Sequence, residues 1–126
     1  MKNFCSIQIF LDNQWVDCAT IELRDKESKG WLAKTSTYYS LNYAIDHLNL
    51  RDGHALSNHY PVNVDSNLEP TWPAFLMDLL PQGYGRKELL KKLGYSEYSQ
   101  EPADWSLLKA GASNSIGNLR IKEANE

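Results

Sequence analysis

Thr71-Trp72-Pro73-Ala74-Phe75-Leu76-Met77-Asp78-Leu79-Leu80-Pro81-Gln82-Gly83 is the stretch at which the chain changes its hydrophobic period. Trp72, Phe75, Leu76, Leu79 and Leu80 recur at i, i+3, i+4, i+7 and i+8, the spacing of one helix face. Thr71 is a good N-cap, Pro73 is tolerated in a first turn, and Pro81 stops the segment. The spacing therefore predicts a helix over 72–80, with Gln82-Gly83-Tyr84-Gly85 as the turn that follows. Arg86 to Leu93 reads as a second helix with Leu89, Leu90 and Leu93 inward, closed by Gly94. Asp104 caps a third, carrying Leu107 and Leu108. A small-residue loop over 111–117 leads to a last strand, Asn118 to Ile121, and a frayed end.

Upstream of Thr71 the period is mostly two. Cys5, Ile7, Ile9 and Leu11 alternate with Ser6 and Gln8, and Trp15 to Leu23 alternates again. Asp12-Asn13 supplies the turn of a hairpin. A two-residue turn there predicts Cys5 opposite Thr20 and Cys18 opposite Ile7, so the two cysteines read as small half-buried residues, not a bridge. After a charged loop over 24–30, Trp31 to Tyr39 is a third strand. Trp15 and Trp31 read as core. Ser40 caps a short helix with Leu41, Ala44, Ile45 and Leu48 on one face, ended by Gly53. Ala55 to Val64 is strand or extended chain, and 65–70 a polar loop. Strands first, helices later and one closing strand predict an α+β fold, an antiparallel sheet with a small cluster of helices on one side.

The chain has 126 residues, which is the length of one domain, 1–126. Hydrophobic residues make up 42% and charged residues 23%, a balance that excludes disorder across the whole chain. No apolar run spans a membrane, and the N-terminal residues lack the regions of a signal peptide, so a cytoplasmic protein is expected. The net charge of −3 argues against a dedicated nucleic-acid binder.

Few residues carry a catalytic pattern. Asp52, His54 and His59 could be drawn into a metal site, but their spacing matches no strong ligand motif and solvated loop residues are the simpler reading. No Gly-x-Ser-x-Gly elbow, Walker loop or His-Arg-Asp catalytic loop occurs. Gly83-Tyr84-Gly85 links two helices, which suits a tight turn better than a phosphate cradle. Arg86, Lys87, Lys91 and Lys92 form a basic helix face, read as solvated or as a contact for an acidic partner or phosphates. Trp72, between Pro70 and Pro73, suits a buried staple by its spacing; a Trp at a helix start can equally anchor an interface.

Phe75-Leu76-Met77-Asp78-Leu79-Leu80-Pro81-Gln82-Gly83, followed by Arg86 and Leu90 to Gly94, resembles a hallmark of the N-terminal subdomain of HipA-type serine/threonine kinase toxins. Asp104-Trp105-Ser106-Leu107-Leu108, then Gly111 and Ile116-Gly117-Asn118-Leu119, resembles the Asp-capped helix and Gly-x-Leu strand of the same subdomain. Ala55-Leu56-Ser57 with Pro61 is similar to the strand just upstream. The resemblance is good from Thr71 to Ile121, looser from Trp31 to Val64, and a matter of pattern alone in the first hairpin. Gln82 stands where an acidic residue is usual and Asn118 where a small one is usual.

The resemblance implies a protein without catalysis of its own, since the family's chemistry lies in a kinase core that follows this subdomain. It implies no cofactor. One implied role is that of a separate, HipS-like antitoxin chain that binds and restrains a HipA-type kinase core in a toxin–antitoxin system, with a HipB-like helix-turn-helix repressor as a further partner. Another is the excised or truncated N-terminal lobe of such a kinase. An unrelated small metal-dependent enzyme and a DNA-contacting module stay as competitors. Trp72, Pro73, Gln82, Tyr84, Arg86 and Lys87 cluster around one helix start and one helix–helix turn, with apolar and basic groups side by side. They are the candidate partner-binding surface.

Overall fold

In the computed structural model the described residues form one sheet of five strands, all paired antiparallel: β1 (Asn3–Leu11), β2 (Gln14–Leu23), β3 (Thr35–Tyr39), β4 (Asn67–Glu69) and β5 (Leu119–Ile121), in the order β4-β3-β2-β1-β5. Among the described residues four short helices accompany it: α1 (Leu41–Asp46), α2 (Ala74–Met77), α3 (Gly83–Lys92) and α4 (Asp104–Gly111). The fold is α+β, as the order of periods predicts. The structure describes residues 3–50, 54–57, 60–80, 83–94, 104–111 and 118–125.

The β1–β2 hairpin turns on Asp12 and Asn13, both at positive φ (50° and 65°). That backbone matches the twist of the flanking strands, and Asp and Asn tolerate it. From the turn the register runs Leu11↔Gln14 to Gln8↔Asp17, then shifts, so that Ile7 meets Ala19 and Cys5 meets Ile21. The register expected for the cysteines is therefore wrong beyond Gln8. Cys18 is the extra residue of a β-bulge, and its thiol donates to the Ile7 carbonyl at 3.4 Å. The bulge changes the parity of β2, so that Cys18 and Ala19 are both buried and Ile21 and Leu23 continue inward. Both cysteines are free and fully buried. Desolvation pushes both thiols up, Cys18 to about 12.

One face of the hairpin, with Cys5, Ile7, Ile9 and Ile21, is buried against the helices. The other carries Ser6, Gln8, Thr20 and Glu22. Trp15 belongs to this outer face, not to the core: it pairs with Phe10 at 5.2 Å and lies under Arg120 at 4.4 Å. Arg120 also donates to Gln8. These contacts, with Lys122 on Asp17 at 3.3 Å, fasten β5 to the hairpin.

Several boundaries differ from the sequence reading. Glu27–Leu32 is a 3-10 segment, broken at Gly30 (φ 55°), so β3 starts at Thr35 and Trp31 is half-buried beside the core. Leu41, Ile45 and Leu48 are exposed, while Tyr43 and Ala44 are buried. The six-residue α1 is oriented by Tyr43, whose ring stacks on Tyr39 and whose hydroxyl donates to the His54 carbonyl. Leu93, expected inward, is 39% exposed; Leu90 is fully buried and Leu89 half-buried. Gly94 does close α3 at positive φ (87°). The polar loop over 65–70 contains β4. Regular helix covers Ala74–Met77 alone, with Pro73 and not Thr71 at the cap position, and i→i+3 bonds carry the turn on to Leu80. The predicted buried set, Trp72, Phe75, Leu76, Leu79 and Leu80, is buried nonetheless. The turn at the expected frayed end, Lys122–Asn125, places Glu123 to accept the Ser6 amide at 2.8 Å.

Candidate functional site

A half-open cleft of about 670 Å³ lies where α2 meets the sheet. Its walls come from separate parts of the chain: Leu56 and Tyr60, then Asn67 and Glu69 of β4, then Trp72 and the outer side of α2, then Asn118 and Leu119. β4 and β5 are the two outermost strands. That both reach one cleft means the sheet curls around α2.

Tyr39 holds one wall. Its hydroxyl donates to the Tyr60 carbonyl and accepts from the Leu56 amide at 2.9 Å. Burial pushes its ionisation up to about 12, so it stays a donor. Tyr60 then meets Phe75 edge-on (5.3 Å, 81°) and donates its hydroxyl to Glu69 Oε1 at 2.7 Å. Desolvation, then that carboxylate, push the Tyr60 ionisation well up. The opposite wall is set by Trp72. Its amide donates to the Trp31 carbonyl at 2.9 Å, and Thr35 donates to the Thr71 carbonyl beside it. Its indole packs edge-to-face on Trp105 (5.9 Å, 75°).

Of the six candidate partner-binding residues, the structure describes the side chains of Trp72, Pro73, Arg86 and Lys87, and it places them differently. Trp72 is 3% exposed, so its ring is core packing that also closes the back of the cleft. Pro73 is buried beside it and lines the same cleft. Arg86 leaves the expected basic face: its guanidinium binds Asp104 Oδ1 at 2.8 Å, with the two side chains 16% and 4% exposed. Asp104 Oδ2 accepts the Trp31 amide at 3.3 Å, so this carboxylate joins α3, α4 and the 3-10 segment. Lys87, Lys91 and Lys92 are exposed on α3. Gln82 and the side chain of Tyr84 lie outside the described residues, as do Asp52 and His59 of the conceivable metal site. His54 stacks near His47, ring centroids 5.3 Å apart. Among the described residues no three His, Cys, Asp or Glu side chains are grouped to hold a metal ion.

Tyr60, Asn67, Glu69 and Asp78 are cleft residues that the sequence reading missed. Asp78 carried a signal, as the polar position inside the apolar run of 75–80. The others carried none, because the cleft exists through pairing of distant segments.

These features define an α+β domain built around a curled antiparallel sheet, with a ligand-sized cleft on its helical side. The chain belongs to the HipA N-terminal domain family, whose model matches residues 22–122. No curated protein and no solved structure matched the chain. Among the described residues no helix is long and apolar enough to cross a membrane.

Proposed function

We propose that the chain is a non-catalytic, cytoplasmic regulatory subunit of a toxin–antitoxin system that binds a HipA-type serine/threonine kinase and restrains it. The observation that carries this reading is the family match over residues 22–122. The segment of strongest resemblance, from Thr71 onward, builds much of the cleft wall, which supports a docking role for that side of the domain. In this reading Pro73 and the cleft face of Trp72 meet the partner. Lys87 contributes from the exposed side of α3, together with Gln82 and with Tyr84 of the first turn of α3, which begins at Gly83 and not, as the sequence suggests, at Arg86. Arg86 acts from behind, by fixing α3 through Asp104. A HipB-like helix-turn-helix repressor completes the complex.

Co-expression with a HipA-type kinase core tests the reading. A stable complex with suppressed kinase activity is the expected result. A complex that gains activity would make the chain a structural lobe of the toxin, and no complex would overturn the reading.

A further inference from the structure

Two carboxylates, Glu69 and Asp78, line the cleft, and no Lys, Arg or His is among its described lining residues. Glu69 spends one oxygen on the Tyr60 hydroxyl. Among the described residues its second oxygen has no donor, and the exposed Asp78 carboxylate has neither an ion-pair nor a hydrogen-bond partner. The same walls carry the rings of Tyr60, Trp72 and Phe75. Two donors beside them, Asn67 Nδ2 and Trp72 Nε1, are buried without an acceptor among the described residues. Uncompensated acid against aromatic surface is the setting in which a flat, delocalised cation binds well.

We infer that this cleft receives an arginine side chain presented on an extended segment of a partner protein. The guanidinium has five N–H donors in a planar fork that suits a carboxylate, and its faces stack on rings. A lysine ammonium is more strongly hydrated and loses more on entering a partly closed site. The volume, about 670 Å³, exceeds what one side chain fills, so main chain enters with it. Among the described residues β4 is the edge of the sheet beside the cleft, and its outer side pairs with none of them, so an extended segment can run along it. The inference rests on the regulatory-subunit reading for the identity of the partner alone, the segment then belonging to the kinase.

The test uses the full chain and the peptide acetyl-Gly-Arg-Gly-amide, followed by the Trp72 indole N–H resonance. The same peptide with citrulline, which keeps the shape and removes the charge, is the control. The arginine peptide is expected to shift that resonance to saturation. Binding should weaken about tenfold with citrulline, and likewise in the double variant Glu69→Gln/Asp78→Asn. Glutamine still accepts the Tyr60 hydroxyl, so the variant should stay folded. If it melts early, Asp78→Asn alone decides by the same readout, because that carboxylate supports nothing else described. No shift at Trp72, or equal binding of both peptides, overturns the inference, as does equal binding by a folded variant. The kinase reading fails separately: arginine peptide bound but no kinase core co-purified would leave the cleft assigned and its partner misidentified.

Discussion

Replacing Trp72 by alanine separates core packing from partner anchoring. The side chain is 3% exposed and rests edge-on against Trp105, itself 2% exposed. A tryptophan side chain presents about 150–250 Å², which at about 25 cal/mol/Å² makes its burial worth ~4–6 kcal/mol. That figure is an upper bound because the unfolded chain already buries part of the ring, and alanine keeps a small part of it, so with the cavity included the expected loss is about 3–5 kcal/mol. For a chain of this size the melting temperature should fall by ~10–20 °C. Thermal unfolding followed by far-ultraviolet circular dichroism reads this directly. Trp72→Phe is the control: it preserves an aromatic contact with Trp105 and removes an indole N–H that has no acceptor among the described residues, so its loss should be smaller. An unchanged melting temperature for Trp72→Ala would refute the packing argument. If kinase binding vanished at the same time, the ring would be an interface anchor.

Other outcomes follow from the same contacts. Asp104→Ala should cost about 3 kcal/mol in chemical denaturation, because it removes the partner of a largely buried guanidinium and the acceptor of the Trp31 amide; the paired change Arg86→Met/Asp104→Leu should recover much of that loss. Tyr39→Phe should destabilise by about 1–3 kcal/mol through the lost bonds to Tyr60 and Leu56. The Tyr39 ionisation is raised in the fold from 10.0 to about 12, so above pH 10.0 the folded chain holds a proton that the unfolded chain releases. Its stabilising contribution is full below pH 10.0 and is lost as pH rises toward about 12, so the phenylalanine variant should show a shallower alkaline decline in stability. Cys5 and Cys18 should react slowly with a thiol reagent at pH 8 in the native state and at once in denaturant, since burial keeps both protonated.

The elements that the sequence revealed are those whose pattern is local. The hairpin alternates on both arms and turns on two residues that accept positive φ. The apolar positions of 72–80 kept their inward direction although half of the expected helix is a looser turn, because burial depends on spacing more than on which hydrogen bonds form. The bulge at Cys18 was not legible: one inserted residue shows only once the register of both strands is known. β4 is three residues, two of them polar, and its strand state comes from pairing with β3. The orientation of α1 follows from the Tyr43 hydroxyl and its ring stack on Tyr39, which outweigh the Leu41 and Ile45 side chains on so short a helix. Arg86 read as a surface cation because its partner, Asp104, lies 18 residues away. The cleft depends on all of these at once, and so its acids and tyrosine could not be assembled from spacing.

The proposed function is binding and restraint of a HipA-type kinase. It is tested most directly by the phosphotransfer rate of a purified kinase core, measured against increasing concentrations of the chain. Restraint by this domain requires a saturable fall in rate that a folded Glu69→Gln/Asp78→Asn variant reproduces only at higher concentration. A rate that stays level while the wild-type chain is in excess, or that rises, would contradict it.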